Sequence, residues 1–278
     1  MSWSTSRRAF LLSAGVGALR VSIGDQPALP SDRWEPDGAG TVARFGVLTP
    51  DFDPVPESEL CAMAPPGISI HAARVPRGGP SPRAFAEPPL VDQAVDRLVG
   101  VAPKAILFAY TSSSYVLRAE AERQVQGRLE QRAKGVSIIS TCLAAAAALR
   151  LLGARRLSLV HPPWFSEDSN SAGAAYWREA GFDVVQCVRL EPSRSFTEVN
   201  PAEVFQFVSA NTPREVDAVL IGGNGLRAIG TIRALEERLR KPVLSANQVL
   251  MWAALRRVGK TASVWNYGSV FRTRDTAG

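Results

Sequence analysis

The chain has 278 residues, 46% of them hydrophobic, and its mean hydropathy is close to zero. This length allows one large or two modest domains, and the composition excludes a largely disordered chain. The formal net charge is +6, but the arginines are scattered and follow helical patterns. Without a basic stripe interleaved with aromatic residues, we expect no nucleic-acid partner.

Residues 1–41 are predicted to form a flexible tail. Arg7 and Arg8 precede an apolar stretch at residues 9–19, an arrangement that resembles a twin-arginine export signal. Because Arg20 interrupts this stretch, we expect a cytoplasmic protein and keep export as the alternative. No run reaches the roughly 18 apolar residues that a membrane span needs, so no membrane partner is expected.

From Val42 onward, short apolar runs alternate with helical patterns. The predicted strands are 43–48, 68–73, 105–109, 136–140, 156–160, 183–189, 218–221 and 243–245, with 262–265 as a further candidate. The predicted helices are 90–99, 119–134, 143–152, 171–180, 201–209, 226–239 and 248–258. This alternation predicts an α/β fold with parallel sheets and helices on both faces. We expect one half from residues 42–139 plus 243–278 and the other from 140–242, since 243–278 resembles a final strand and helix.

Two predicted strands end in loops that suit a small anion, and ligands of open α/β sheets bind at such strand ends. The first loop offers hydroxyl and backbone N–H groups at the start of a helix, and the second offers glycines and an amide. Ordinary turn and capping roles are the alternative, but the matched pair favours a binding site. The candidate binding residues are Thr111, Ser112, Ser113, Ser114, Gly222, Gly223, Asn224 and Gly225.

His161 and Tyr110 are the candidate catalytic residues. His161 follows a predicted strand, where a histidine acts as a general acid or base near neutral pH or serves as a hydrogen-bonded structural residue. Tyr110 is a candidate proton or hydrogen-bond donor, and packing against substrate is its simpler role. We expect Trp164 and Asp53 to lie with His161 on the rim of a cleft between the two loops.

The three cysteines have no spacing typical of a metal or redox site, and with only two histidines no metal is expected. Cys187 lies in a strand pattern and is predicted to be a core residue, while Cys61 is predicted to lie in a loop. Cys142 opens a predicted helix, where the pKa of a thiol can fall, although packing is favoured for it.

From about Phe45 to about Gly259 the chain resembles the aspartate/glutamate racemase superfamily, in the branch of maleate cis-trans isomerase and arylmalonate decarboxylase. The resemblance is carried by the order and spacing of several segments: Phe45-Gly-Val-Leu-Thr-Pro50 with Asp53 and Glu57, Tyr110-Thr-Ser-Ser-Ser114, Ala148-Leu-Arg-Leu-Leu-Gly-Ala-Arg-Arg156, Gly222-Gly-Asn-Gly225 and Lys241-Pro-Val-Leu-Ser245. It implies two Rossmann-like halves related by a pseudo-twofold axis, with the site in the cleft between them. It also implies no metal or organic cofactor, a small carboxylate substrate, and a cysteine thiolate from each half.

The chain departs from this pattern at both cysteine positions. Alignment places Tyr110 at the first and Gly223 at the second, which argues against thiolate chemistry. Asp53 matches a position where relatives carry an asparagine that touches substrate.

The resemblance and this departure together predict a cofactor-independent isomerase, racemase or carbon–carbon lyase that acts on a small carboxylate or dicarboxylate by altered, non-thiol chemistry. The alternative is a catalytically inactive small-carboxylate-binding protein of the same fold. A third hypothesis is hydrolytic or eliminative chemistry by His161 and a serine of the first loop, for which no elbow motif is present. Assembly into a homo-oligomer stays open.

Overall fold

The structure is a computed structural model that describes residues 37–76, 78–79, 81–191, 194–195 and 197–273. The predicted tail lies outside these residues up to position 36, and with it the segment that resembles an export signal. Within the described ranges no helix is long and apolar enough to cross a membrane.

The described strands form two four-stranded sheets in which every pairing is parallel. They are β1 (Ala43–Pro50), β2 (Ile68–Val75), β3 (Ala105–Phe108), β4 (Ser137–Ser140), β5 (Arg156–His161), β6 (Asp183–Arg189), β7 (Ala218–Ile221) and β8 (Val243–Ser245). The first sheet has the order β2-β1-β3-β4 and the second has the order β6-β5-β7-β8. This repeated order confirms the predicted α/β fold with two similar Rossmann-like halves.

Helices connect the strands and cover the sheets. They are α1 (Val55–Met63), α2 (Leu90–Val99), α3 (Thr111–Arg132), α4 (Thr141–Leu151), α5 (Glu167–Glu179), α6 (Pro201–Asn211), α7 (Ile232–Leu239) and α8 (Ala246–Arg257). Short 3₁₀ turns lie at Pro82–Ala86, Ile229–Thr231, Thr261–Ser263 and Ser269–Arg272. The helix α1 was not predicted, and the candidate strand at 262–265 is wrong, since that segment begins in a 3₁₀ turn.

Local sequence explains where several helices begin and end. The helix α6 begins with a capping box in which Asn200 and Glu203 bond each other's backbone N–H groups, with Pro201 in the first turn. Gly153 follows α4 with φ +70° and Gly181 follows α5 with φ +89°. Both residues adopt the left-handed conformation that favours glycine, as the sequence predicts for a helix end.

The prediction that the segment from Val243 adds its strand to the first half is wrong. Strand β8 pairs in parallel with β7 in the second sheet, because only three residues separate the end of α7 from β8 and they lead back to the edge of the same sheet. The following helix, α8, then contacts β3, β4 and α1 of the first half. The chain therefore returns to the first half through a helix.

The largest cluster of buried apolar side chains includes residues from both sheets, such as Leu107 of β3 and Leu220 of β7. These two strands lead directly into the two loops that the sequence selected. The shared core therefore fixes the carboxyl ends of β3 and β7 relative to each other.

Candidate functional site

The loops that follow β3 and β7 meet through a pair of short hydrogen bonds. The backbone N–H of Thr111 donates to Asn224 Oδ1 over 2.8 Å, and the Thr111 hydroxyl donates to the same oxygen over 2.7 Å. Both residues are buried. The predicted approach of the two loops is confirmed, and they touch directly where the sequence led us to expect an open cleft.

A chain of amide and carboxyl groups continues from Asn224 into the interior. Asn224 Nδ2 donates to Asn247 Oδ1 (2.9 Å), and Asn247 Nδ2 donates to Glu59 Oε2 (2.8 Å) and to the Asn224 carbonyl oxygen (2.8 Å). Glu59 Oε1 in turn accepts the N–H groups of Ala228 and Ile229. We call Asn224, Asn247 and Glu59 the amide relay. It links helix α1 of the first half to the loop after β7 and to helix α8.

The amide orientations in the relay follow from the backbone groups at its ends. The Thr111 N–H can only donate, so the Asn224 atom facing it is Oδ1. The Asn224 carbonyl can only accept, so the Asn247 atom facing it is Nδ2. The space filled by the Asn224 carboxamide therefore has donors on one side and the acceptor Asn247 Oδ1 on the other.

Two buried carboxyl groups on the first half face the second loop. Burial raises the pKa of Glu59 to about 7, against the stabilising hydrogen bonds from Asn247, Ile229 and Ala228. Burial also raises the pKa of Asp53 to about 6, although the Val55 N–H and the charge of Arg74 act in the opposite direction. Both groups can therefore take up or release a proton near neutral pH.

Asp53 lies against Gly225 of the second loop. A Cβ atom at position 225 would stand 2.9 Å from Asp53 Oδ2, so glycine is required there for space. The Asp53 side chain is only 5% exposed, which makes it a wall of the site; the predicted rim position is wrong.

The serines of the first loop separate into two groups. Ser114 donates to Glu122, which also accepts hydroxyl hydrogen bonds from Ser140 and Tyr176. Ser113 is fully buried, and its hydroxyl has no hydrogen-bond partner among the described residues. Neither hydroxyl is available to a ligand, which corrects the prediction for both residues, because the first turn of α3 points them into the core. Ser112 is partly exposed.

Tyr110 packs against apolar side chains of the first half. Its ring meets the ring of Phe85 edge to face, with centroids 4.9 Å apart. Tyr110, Phe52 and Pro50 line a cavity of about 100 Å³ at the ends of β1, β2 and β3. A larger cavity of about 470 Å³ lies beside helix α1, with Glu59 and Arg227 among its lining residues.

His161 is not on a rim either, since its side chain is fully buried. Trp177 Nε1–H donates to the Tyr115 hydroxyl, which donates to His161 Nε2, and His161 Nδ1–H donates to Asn170 Oδ1. Burial lowers the pKa of His161 to about 4, against the bond from Asn170. The histidine is therefore neutral near pH 7, and the geometry favours the structural role that the sequence had left open.

Two adjacent glycines lie in closely packed surroundings next to this histidine. Gly222 leaves space for the His161 ring, and the backbone at Gly223 leaves no space for a side chain. A Cβ at Gly222 would lie 2.8 Å from His161 Cδ2. Gly223 has φ +85°, and a Cβ there would lie 2.4 Å from Cγ of Pro162. Trp164, the remaining predicted rim residue, is partly buried against apolar side chains of the core.

The cysteines lie apart from the two loops' contact. Cys61 is exposed on helix α1, which corrects its predicted loop position, and Cys187 is partly buried in β6. Cys142 is buried at the start of α4, and burial raises the pKa of its thiol well above the usual value, as expected for a packing role. Within the described ranges no group of three or more His, Cys, Asp or Glu side chains could hold a metal ion.

Sequence reasoning missed Glu59, Asn247 and Thr141, whose hydroxyl donates to the Phe108 carbonyl and accepts from Asn224 Nδ2. Thr141 and Asn247 each follow the end of a strand closely, β4 and β8, so the strand-end rule could have selected both. No signal in the sequence marks Glu59, because its partners are 169 or more positions away.

Comparisons with known proteins agree with this architecture. A family model described as arylmalonate decarboxylase matches residues 89–271, while no curated protein sequence gives a significant match. A variant of the maleate isomerase Iso from Pseudomonas putida S16, solved with maleate, has a TM-score of 0.75 at 20% identity, covering 83% of this chain and 98% of that chain. A variant of Nocardia farcinica maleate cis-trans isomerase with a covalently bound succinylcysteine intermediate has a TM-score of 0.75 at 22% identity, with coverages of 84% and 99%. Unliganded arylmalonate decarboxylase has a TM-score of 0.71 at 23% identity, with coverages of 84% and 100%.

Proposed function

Because the chain belongs to the arylmalonate decarboxylase family, we propose that it binds a small mono- or dicarboxylate at Thr111 and converts it without a thiol. The reaction class is that of a cofactor-independent isomerase, racemase or carbon–carbon lyase. The observation that carries the proposal is the convergence of two Thr111 donors, 2.8 and 2.7 Å long, on one buried oxygen.

Such a donor pair suits the chemistry of a carbon acid. When a proton or carbon dioxide leaves the carbon beside a carboxylate, negative charge collects on the carboxylate oxygens as an enediolate. Donors fixed before the reaction stabilise that charge without reorganising. In the proposed complex one ligand oxygen takes the place of Asn224 Oδ1, and Asn224 moves aside.

We assign the proton-donating role to Asp53. For a malonate-type substrate, the bond to one carboxylate breaks, carbon dioxide leaves, and the electron pair stays on the α-carbon. The Asp53 carboxyl then gives its proton to that carbon and regains one from water. A pKa of about 6 and contact with Gly225 of the second loop support this assignment.

A thiol route has weaker support in this chain. The Nocardia isomerase variant holds its intermediate on a cysteine, whereas positions 110 and 223, which we align with the family cysteines, carry tyrosine and glycine. Of the two earlier catalytic candidates, Tyr110 keeps a role as a wall of the adjoining cavity, and the neutral, buried His161 is assigned to structure.

A second candidate function is carboxylate binding without turnover. The observation that favours it is the occupation of the Thr111 donors by the chain's own Asn224. In this alternative the fold keeps a ligand site, while the reaction of its relatives is lost.

The experiment that separates the two candidates follows carbon-bound protons by NMR in D₂O with malonate, phenylmalonate and maleate as substrates. We expect deuterium incorporation or conversion that Asp53→Asn abolishes while ligand-induced thermal stabilisation persists. The matched control is Asp51→Asn, an exposed carboxyl two residues away. Because the protonated form of Asp53 is the donor, turnover at saturating substrate should fall as the pH rises through about 6. Ligand binding without conversion in the wild type would select the second candidate.

A further inference from the structure

The carboxamide of Asn224 stands where the proposed function needs the carboxylate of a ligand. Its Oδ1 takes both donors of Thr111, and its Nδ2 is bonded to Asn247 Oδ1 and to the Thr141 hydroxyl. With 3% of its surface exposed, Asn224 has all of its side-chain polar groups satisfied by the protein. A ligand oxygen can reach Thr111 only if this side chain leaves.

We infer that Asn224 is an internal competitor for the carboxylate site and that Asn247 and Glu59 are positioning residues that hold it there. This inference rests on the proposed function, since it assigns the ligand to the same Thr111 donors. It adds that Asn224 determines the affinity of the site and its selectivity among carboxylates.

The amide relay explains why a carboxamide is a strong occupant. The space has donors on the Thr111 side and the acceptor Asn247 Oδ1 on the other side, which is the pattern that a primary amide matches. A carboxylate lying in the same plane would place its second oxygen against Asn247 Oδ1. A ligand carboxylate must therefore bind with its second oxygen turned away from Asn247, and its remaining contacts must compensate for the loss of the Asn224 bonds.

Glu59, on the first half, determines the direction of the hydrogen bonds in the amide relay. Its Oε2 accepts from Asn247 Nδ2, and its Oε1 is held by the N–H groups of Ala228 and Ile229. In Glu59→Gln, the Oε1 acceptor can be kept, but an NH₂ group then faces Asn247 Nδ2. Two donors in contact loosen Asn247 and, through it, Asn224.

The test compares malonate affinity, measured by calorimetry, in the wild type and in Asn224→Ala. In this variant no side chain occupies the Thr111 donors before the ligand arrives. We therefore expect the apparent Kd for malonate to fall by about tenfold to a hundredfold. The melting temperature of the unliganded variant should fall at the same time, because Thr111 and Asn247 Oδ1 lose their hydrogen bonds to the Asn224 side chain. A general loosening of the fold would lower both stability and affinity. A lower melting temperature together with a higher malonate affinity therefore distinguishes the loss of a competitor from such loosening. The matched control is Asn211→Ala, an exposed asparagine of α6 that bonds the Phe207 carbonyl.

Asn247→Ala provides a second route if Asn224→Ala does not fold. It removes one of the two acceptors of Asn224 Nδ2 while leaving Thr111, Thr141 and Asn224 in place, and a gain in malonate affinity of about threefold to tenfold is expected. Malonate binding to Asn224→Ala that is equal to or weaker than binding to the wild type overturns the inference and leaves the proposed function standing. If Thr111→Val in the Asn224→Ala background does not weaken malonate binding, the proposed site itself is wrong. Absence of binding to both folded proteins refutes the carboxylate site and the competitor together.

Discussion

Introducing a side chain at position 223 should destabilise this protein. Gly223 has φ +85°, and a Cβ there would lie 2.4 Å from Pro162 Cγ and 2.9 Å from Pro162 Cδ. The left-handed backbone costs a non-glycine residue about 1–2 kcal/mol, and forcing an atom into a packed site costs about 1–3 kcal/mol. We therefore expect Gly223→Ala and Gly223→Cys to lower the free energy of unfolding by about 2–5 kcal/mol.

Urea unfolding followed by circular dichroism measures this loss, and two other glycines separate its causes. Gly181 has φ +89° with no atom within 4 Å of its would-be Cβ, and Gly230 has equally open space without a positive φ. Gly181→Ala should therefore report the backbone cost alone, and Gly230→Ala should be close to neutral. The excess of Gly223→Ala over Gly181→Ala is then the contribution of the Pro162 contact.

Equal losses in Gly223→Ala and Gly181→Ala would refute the steric part of this reasoning. Wild-type stability of Gly223→Cys would go further. It would mean that the second loop adapts to a thiol, and the glycine at this position would then need an explanation other than space.

Other consequences can be measured on the same material. For His161, the pKa of about 4 in the folded protein lies below the ordinary histidine pKa of 6.5, so the unfolded chain takes up the proton first and stability falls as the pH drops from about 6.5 to 4. The difference in unfolding free energy between wild type and His161→Gln should shrink by about 3 kcal/mol over that range, and a pH-independent difference would contradict the buried, neutral assignment. Glu122→Leu should cost about 2–4 kcal/mol because three buried hydroxyl groups lose their acceptor; a thermal melt that matches the wild type would show that they find other partners. Iodoacetamide should label the exposed Cys61 before the buried Cys142 in the native protein without loss of any carboxylate turnover, and mass spectrometry that finds inactivation tracking Cys142 would overturn the non-thiol proposal.

Most strands and helices could be predicted from the sequence because the patterns that mark them are local. Each buried strand is a short apolar run, and Gly153 and Gly181 mark helix ends through a conformation that only glycine adopts easily. The sheet to which β8 belongs could not be predicted from such local patterns. The three residues of this strand carry no information about which sheet edge they join, and the return to the first half is made by the helix that follows.

The candidate site was predicted at the level of loops and missed at the level of side chains. The strand-end rule places Thr111 and Asn224 at facing positions, and the structure joins them. Whether a polar residue points into a cleft or into the core depends on neighbours far away in the chain. Ser114 turns toward Glu122 and His161 toward Tyr115, and neither partner could be identified from spacing.

The same network explains how a polar side chain of the second loop can be buried. Asn224 brings two polar groups into a space with 3% exposure, and an unpaired amide there would cost about 1–3 kcal/mol for each group. Thr111 and Asn247 satisfy both groups, and Glu59 satisfies Asn247 in turn. Asn247, and through it Glu59, therefore stabilises the buried amide at position 224. Asn247→Ala should therefore lose part of its effect on stability once Asn224 has been replaced by alanine, because the bond between the two amides is then already gone. Thermal melts of the two single variants and the double variant measure this coupling, and strictly additive losses would contradict it.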